Sequence, residues 1–293
     1  PIYFWPIAFF GLAYPFILLL NILFFFFWLI VWRRPAWISL LVIAIGFPIH
    51  RNNFGLNMPY NLDHKPDRAI RVMSYNTHYF RPMNKRSNDD STKHQILELI
   101  NEEQPDVLCV QEFYSRKRGK FNIKDSILLI LETKYHYVKK IIGDDYESTG
   151  LAIFSKFPIE EGKEIPFSSD KTDNTCVYAD LNIRGQRIRV CNIHLQSISF
   201  QQQDYEYYQK VKDSLSAVRV LTRRIARMLK KPFEKRSIQA KLVSDAVRSS
   251  PYPVLLCGDF NDTPVSYAFN TVSQGMNNAF PERGVGFGKT YGG

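Results

Sequence analysis

The sequence predicts an α/β or α+β sandwich that follows a membrane-spanning N-terminal segment. No charged residue occurs from Pro1 to Trp32, in a chain of 293 residues that is 45% hydrophobic. Beyond residue 70, short β-branched runs alternate with helical patterns, as in sheets that are covered by helices. The chain is therefore long enough for one core of about 200 to 250 residues together with an N-terminal appendage.

The N-terminal appendage, residues 1–50, is predicted to be a membrane anchor. The stretch 8–32 supplies about the 18 to 20 apolar residues that cross a hydrocarbon core of about 30 Å. A second stretch, 36–50, has an apolar run of about 14 residues, and we interpret it as a second span that needs a thinner bilayer or its flanks. A cleaved signal peptide fits poorly, because the apolar stretch is too long and no small-residue cleavage site follows it.

Arg33 and Arg34 are the only charges between the two candidate spans, and they predict the orientation. Short loops rich in Lys and Arg stay in the cytoplasm, so everything after residue 50 is expected on the extracytoplasmic side of the membrane. If the second stretch does not cross, this conclusion inverts. The sequence begins with proline, so we expect further residues upstream.

The predicted domain occupies residues 70–293, after a linker at 51–69 that contains Pro, Asn and Gly without periodicity. Its predicted helices are 91–104, with Ile96, Leu99 and Ile100 on one face, and 126–135. Its predicted strands are 69–78, 106–113, 149–159, 175–196 with a turn at Arg184 and Gly185, and 252–261.

Polar side chains follow the apolar runs of four predicted strands. Asn76 follows "VMSY", Glu112 follows "VLCVQ", and His194 follows "VCNI", while Asp259 and Asn261 follow "VLLCG". Each residue alone is as readily explained as a turn former or a helix cap. Because loops at strand ends gather into sites, the five residues together predict one functional site.

Five motifs in this order resemble the endonuclease/exonuclease/phosphatase superfamily over roughly residues 70–293. They are "VMSYN", "PDVLCVQE", "TGLAIFSKFPI", "VCNIHLQ" and "LLCGDFND". The resemblance implies a four-layer αββα sandwich, an α+β fold of two mixed β-sheets flanked by helices, with the site at one edge. It also implies a metal-dependent hydrolase that acts on phosphate esters.

The site residues fit phosphoryl chemistry, in which a divalent ion neutralises charge on the phosphate. Glu112 is the expected ligand of Mg²⁺ or Mn²⁺, and Asn76 ligates the ion or holds its water. His194 is expected to donate to a phosphate oxygen. Asp259 orients or deprotonates the attacking water, and Asn261 holds that water or a phosphate oxygen. Zinc is disfavoured because no Cys or His cluster has ligand spacing.

Two further polar residues accompany these motifs. His78 is either a supporting residue of the site or an ordinary surface histidine. Asp262 is expected to cap the turn into "SYAFNTV". The four cysteines lie inside apolar strand runs and are predicted to be free, although an oxidising compartment would permit a bond between neighbouring strands. They are Cys109, Cys176, Cys191 and Cys257.

One departure from the family concerns its last strand, which normally carries an Asp-His pair that acts on the scissile phosphate. That strand is expected after Gly293, so either the sequence is truncated at both ends or it is a degenerate member. We favour truncation, because the absent methionine and the absent strand point the same way. The fragment as given is then expected to be catalytically weak.

The net charge of +10 concentrates in a predicted helical insertion at 210–250. Its apolar stripe consists of Val218, Leu221, Ile225 and Leu229. A basic amphipathic helix binds nucleic acid or anionic lipid headgroups, or it is a solvated helix whose stripe packs on the sheet. Beside a bilayer, headgroup contact is the simpler functional option.

Two functions remain open from the sequence. The first is a membrane-anchored, Mg²⁺-dependent phosphoesterase, and the second is a non-catalytic membrane module that binds lipid or a partner. The substrate of the enzyme is not readable among nucleic acid, phospholipid, sphingomyelin and inositol phosphate, because one fold hosts many functions.

Overall fold

The computed structural model describes residues 4–58, 66, 68–82, 90–167, 174–198 and 215–288, without the side chains of 215–223 and 287. The helices are α1 (Ala8–Val31), α2 (Arg33–Ile45), α3 (Phe47–Arg51), α4 (Ser91–Glu103), α5 (Ile123–Ile130), α6 (Leu215–Arg248), α7 (Tyr267–Val272) and α8 (Ala279–Arg283). The strands are β1 (Phe54–Leu56), β2 (Val72–Asn76), β3 (Val107–Arg116), β4 (Tyr135–Gly143), β5 (Glu147–Ser155), β6 (Ile159–Ile165), β7 (Thr175–Ile183), β8 (Gln186–His194), β9 (Val254–Asp259) and β10 (Val285–Phe287).

These elements form two compact units. The sheet unit consists of Asp63–Ser197 and Asp245–Asn261, and the helical unit consists of Pro1–Leu62, Ile198–Ser244 and Asp262–Gly293. The two units do not divide the chain at residues 50 and 70, where the sequence predicts boundaries, because the helical unit combines the N-terminal segment with two later segments. The division into anchor, linker and domain therefore stays a prediction.

Two mixed four-stranded sheets make up the sheet unit. The first has the order β2-β3-β5-β4, with β2 and β3 parallel, and the second has the order β6-β7-β8-β9, with β8 and β9 parallel. The remaining neighbours in both sheets are antiparallel. The predicted α+β class with two mixed sheets is therefore confirmed.

The core between the sheets follows from the alternation of side chains along each strand. Val107 and Cys109 of β3 face the second sheet, whereas Leu108 and Val110 face the opposite way. The inner core also contains Leu151, Ile153, Val177, Ala179, Leu181, Ile183 and Val190.

Helices α4 and α5 cover the outer face of the first sheet. Ile96 and Ile100 of α4 pack with Ile123 and Ile127 of α5 against Phe154 of β5. Leu99, which the sequence predicts on the same face as Ile96 and Ile100, lies outside this cluster, where Leu97 contributes instead.

In the helical unit, α1 and α2 pack against each other. The described residues contain one helix long and apolar enough to cross a membrane by length and composition, Trp5–Val31, with 27 residues and no buried side chains in its most apolar stretch. α2 has 13 residues, so the predicted second span is shorter than the first.

Several predicted element boundaries differ from the structure; the predicted strand 149–159, for example, ends at Ser155, and residue 159 already begins β6. The predicted linker contains β1, which pairs antiparallel with β10. The predicted helix 126–135 begins earlier, at Ile123, after Asn122 accepts a hydrogen bond from Asp125 N. It ends at Ile130, because Glu132 takes a left-handed φ of +50° and residue 135 already begins β4.

Candidate active site

The candidate site lies at the carboxyl ends of β2, β8 and β9 and at a bulge within β3 of the sheet unit. Asn76 ends β2 and pairs in register with Gln111 of β3, while His194 ends β8 and pairs with Asp259 of β9. Because parallel neighbours end at the same edge of a sheet, each sheet delivers its polar residues as a group.

A single amide joins the two groups. Asn76 Nδ2 donates one hydrogen bond to Glu112 Oε1 at 3.1 Å and another to Asp259 Oδ2 at 2.9 Å. The first sheet contributes Asn76 and Glu112, and the second contributes Asp259. The two carboxylates that the sequence predicts in one site therefore share one donor.

Glu112 is aimed into the site by a β-bulge. The pairing of β3 with β5 shifts between Val110 and Phe113, and Glu112 takes a φ of +50°. A bulge of this kind turns one side chain out of the strand alternation. Thr77 supports the bulge by donating from Oγ1 to the carbonyl oxygen of Glu112 at 3.2 Å.

His194 is buried beneath this edge, with 2% of its side chain exposed. Its Nε2 atom lies 3.7 Å from Glu112 Oε1, which is beyond normal hydrogen-bond length. The imidazole therefore stands beside the Glu112 carboxylate, as the sequence predicts for a shared site.

Asp259 and Asn261 form a compact turn after β9. Asp259 Oδ1 accepts a hydrogen bond from Asn261 N at 2.7 Å, the side-chain-to-backbone pattern that aspartate supports in turns. Asn261 has a φ of +50° and donates from Nδ2 to the carbonyl oxygen of Leu195 at 2.9 Å. The turn thus holds Asn261 against the end of β8.

His78 contacts the site through its backbone. His78 N donates to Asn76 Oδ1 at 3.1 Å, while its ring Nδ1 lies 3.2 Å from the carbonyl oxygen of Arg81. His78, Tyr79 and Phe80 all have positive φ, which costs about 1 to 2 kcal/mol per residue. Burial of Phe80 in the outer core offsets this strain.

Asp262 has a different partner from the one expected. In the helical unit, its Oδ2 accepts a hydrogen bond from Arg236 Nε at 2.9 Å, and its Oδ1 accepts one from Thr263 N. Burial raises the pKa of the Asp262 carboxyl, although Arg236 opposes that shift. Ser266, not Asp262, caps the helix of "SYAFNTV" by accepting from Phe269 N.

Two buried amides next to the site are not among the residues that the sequence predicts. Gln111 precedes Glu112, and Asn192 lies two residues before His194; both are almost completely buried. In the sequence, each of them is a polar residue inside an apolar strand run. Because a buried polar group needs a hydrogen-bond partner, such a position indicates a specific contact in the core.

The donor set fits a hard divalent cation. Glu112 and Asp259 offer carboxylate oxygens, the ligand type that Mg²⁺ prefers when it keeps several waters, whereas Asn76 turns its Nδ2 toward both carboxylates and its Oδ1 toward His78 N. Within the described part of the chain, no group of three or more His, Cys, Asp or Glu side chains is placed to hold a metal ion, so a cation here would rely on two carboxylates, an amide and waters. The four cysteines are free, as predicted.

The chain belongs to the Endonuclease/Exonuclease/phosphatase family, whose pattern residues 73–292 match. Members of this family are generally hydrolases of phosphoester bonds. Residues 1–53 match a domain of unknown function, DUF8431. No curated protein matches the chain.

Three solved structures are similar at low identity. Sphingomyelinase C from Streptomyces griseocarneus is 18% identical, with 70% of this chain and 68% of that chain covered, at a TM-score of 0.47. A β-hairpin deletion mutant of beta toxin from Staphylococcus aureus is 17% identical, with 71% and 73% covered, at 0.46. The human Nocturnin catalytic domain with bound sulfate is 16% identical, with 70% and 69% covered, at 0.45.

Proposed function

We propose that this protein is a membrane-anchored, Mg²⁺-dependent phosphoesterase that hydrolyses a phosphodiester or phosphomonoester by attack of water. The observation that carries the proposal is the amide of Asn76, which bonds Glu112 and Asp259 at once. Three polar side chains from distant parts of the chain thereby meet at the edge where both sheets end.

The residues have distinct proposed roles. Glu112 and Asn76 would hold the cation through hard oxygen atoms. A bound Mg²⁺ or Mn²⁺ supplies positive charge that neutralises the phosphate and positions the ester. His194 donates a hydrogen bond to a non-bridging phosphate oxygen, where negative charge increases in the transition state.

Asp259 is the proposed acceptor of the proton of the attacking water. Its carboxylate is fixed from two sides, by Asn76 Nδ2 and by Asn261 N, so its orientation is set before substrate binds. As the water oxygen bonds to phosphorus, its proton passes to Asp259, and the ester oxygen leaves with the electron pair of the P–O bond. The Asn261 side chain is proposed to hold the water or a phosphate oxygen.

Membrane anchoring is proposed for α1. The candidate span Trp5–Val31 exposes its apolar surface, and such a surface is unstable in water. A second span in 36–50 and an extracytoplasmic domain remain part of this proposal, since Arg33 and Arg34 form the first turn of α2, just after the end of α1.

The proposal is tested with the full-length protein in nanodiscs and a panel of phosphoesters: an oligonucleotide, a phospholipid, sphingomyelin and an inositol phosphate. We expect hydrolysis of at least one substrate with Mg²⁺ and its loss with EDTA. Glu112→Ala is expected to lower turnover by a factor of about 10² or more, because the cation loses its carboxylate ligand.

Glu132→Ala is the matched control. Glu132 is also a non-glycine residue at a φ of +50°, but it is exposed and lies after α5. Glu132→Ala changes a glutamate with the same backbone conformation at a position outside the site. It therefore measures the effect of the substitution on the backbone alone, and turnover should not change. Equal turnover with Mg²⁺, with EDTA and in Glu112→Ala would refute the assignment.

A further inference from the structure

One face of α6 within the helical unit is exposed and basic. Its members recur at helical spacing of three or four residues, which places them on one side. We define this α6 basic face as Arg227, Lys230, Lys231, Lys235, Ile238, Lys241 and Leu242. The opposite side is buried through Leu229, Phe233, Arg236, Ala240 and Val243.

The cations of the face are largely unneutralised. Lys230 Nζ lies 3.8 Å from Glu234 Oε1 one helical turn away, and both side chains are well exposed. No ion pair joins the other four basic residues to any residue that the structure describes. These four are Arg227, Lys231, Lys235 and Lys241. The face therefore carries a positive potential that is open to an anionic partner.

Two large apolar side chains interrupt the basic face. Ile238 is 52% exposed and Leu242 is 38% exposed, and they lie one turn apart beside Lys235 and Lys241. Two exposed aliphatic side chains do not stabilise a helix face that contacts water alone. Lysines that flank exposed aliphatic residues are typical of helices that lie in the headgroup region of a bilayer.

The same helix packs against the candidate membrane span. The rings of Phe9 in α1 and Phe233 in α6 meet edge to face, with centroids 5.8 Å apart. Lys230 Nζ lies 6.0 Å from the centroid of the Trp5 ring, at the start of the span. Tryptophan and lysine are the residues that mark the membrane interface. The α6 basic face thus begins beside one end of the proposed anchor.

We propose that the α6 basic face binds the anionic lipid headgroups of the bilayer that α1 spans, with Ile238 and Leu242 inserted at the headgroup boundary. The inference rests on the anchoring part of the proposed function and is independent of the phosphoesterase activity. The positive charge of the face favours anionic lipid over neutral lipid. The two aliphatic side chains favour a bilayer over nucleic acid, because only a bilayer offers an apolar region in which to bury them.

The experiment places an environment-sensitive fluorophore on Ile238→Cys of the full-length protein in nanodiscs. Discs of phosphatidylcholine alone are compared with discs that contain phosphatidylserine. Three of the native cysteines are buried and Cys257 is partly buried, so labelled wild type gives the background. Leu129→Cys, 80% exposed on α5 of the sheet unit, is the control label site.

We expect the emission of the Ile238→Cys label to shift to shorter wavelength in phosphatidylserine discs only. The shift should disappear at about 1 M salt, where the screening length is about 3 Å. Lys235→Ala should lower the equilibrium constant for contact about fivefold, as expected for one cation at an anionic surface. The triple variant Lys231→Glu, Lys235→Glu, Lys241→Glu should abolish the shift.

Lys117→Glu, Arg118→Glu, Lys140→Glu is the matched triple control, because it changes the charge equally at exposed positions of the sheet unit. The control should retain the shift. A shift of equal size in both kinds of disc, or one that survives in the α6 triple variant, would overturn the inference. So would a shift caused by a soluble oligonucleotide and not by phosphatidylserine.

Failure of the anchor is distinguished by incorporation into the discs. A protein that does not co-elute with discs contradicts the proposed span and this inference together. A protein that incorporates without the lipid-dependent shift contradicts the α6 inference alone. Hydrolysis of phosphoesters is measured separately, so neither outcome depends on it.

Discussion

Gln111 Nε2 donates a hydrogen bond to Asn192 Oδ1 at 2.6 Å and so connects the two sheets at the base of the candidate site. Asn192 Nδ2 in turn donates to the carbonyl oxygens of Val110 and Ala152 at 3.0 Å each. Since Gln111 directly precedes Glu112, this bridge fixes β3 against β8 just where the proposed catalytic side chains begin. We regard Gln111 and Asn192 as positioning residues.

Replacement of Asn192 by alanine is expected to destabilise the fold by about 1 to 3 kcal/mol. The substitution removes three hydrogen bonds of a buried amide, one accepted from Gln111 Nε2 and two donated to strand carbonyls, although Gln111 Nε2 also donates to Ser74 Oγ. Urea unfolding in detergent measures the free energy. Asn101→Ala, at an exposed position of α4, is the control and should change it by no more than about 0.5 kcal/mol. Equal losses in both variants would contradict the role of the bridge.

Gly258→Ala is expected to cost more than about 1 kcal/mol, because the native backbone is closed to a side chain. Gly258 has a φ of +136°, and a Cβ atom there would lie 2.1 Å from the carbonyl oxygen of Ile193. Gly185→Ala, with a φ of +87° and no neighbouring atom within 4 Å, isolates the conformational cost. Thermal unfolding of both variants separates the clash from the strain. A Gly258→Ala loss no larger than that of Gly185→Ala would exclude the clash.

The buried pair of Arg236 and Asp262 should behave non-additively. Each side chain is under 10% exposed, so Arg236→Met or Asp262→Leu alone removes an opposite charge from beside a buried one and is expected to cost about 3 to 5 kcal/mol. The double variant should cost much less than the sum, because no buried charge remains. A double-mutant cycle of urea unfolding measures the coupling. Strict additivity would show that the two side chains do not depend on each other.

Asn76→Asp is expected to make stability depend more strongly on Mg²⁺. The substitution removes the donor that bonds Glu112 and Asp259 and adds a third carboxylate beside them, so the metal-free protein should unfold at a lower temperature. A cation that binds only the folded state restores stability by mass action. Melting temperatures with EDTA and with Mg²⁺ provide the measurement. An unchanged difference between these two conditions would argue against cation binding at Asn76.

The convergence of the candidate residues could be predicted because each one follows an apolar run of the sequence. The apolar runs before these residues identify the strands from local sequence alone. Parallel pairing of neighbouring strands then brings Asn76 close to β3 and His194 close to Asp259. The Arg184 and Gly185 turn was equally local, and it lies where expected between β7 and β8.

What the sequence missed depends on distant partners. Asp262 pairs with Arg236, 26 positions away, and this contact overrides its local capping tendency. The bridge of Gln111 to Asn192 spans 81 positions, so no window of sequence could reveal it. β1 and β10 are strands of three residues each that pair with each other, and β1 lies in a segment with turn-forming composition.

Asn76 and Asp259 are 183 positions apart in the sequence, so the ribosome synthesises them at different times. The first sheet can be translated and folded while β9 is still unmade, since β8 and β9 are joined through the long helix α6. A nascent chain therefore holds Glu112 and Asn76 long before it holds Asp259. The proposed activity requires all three, so we expect it only from chains whose translation has passed the second sheet.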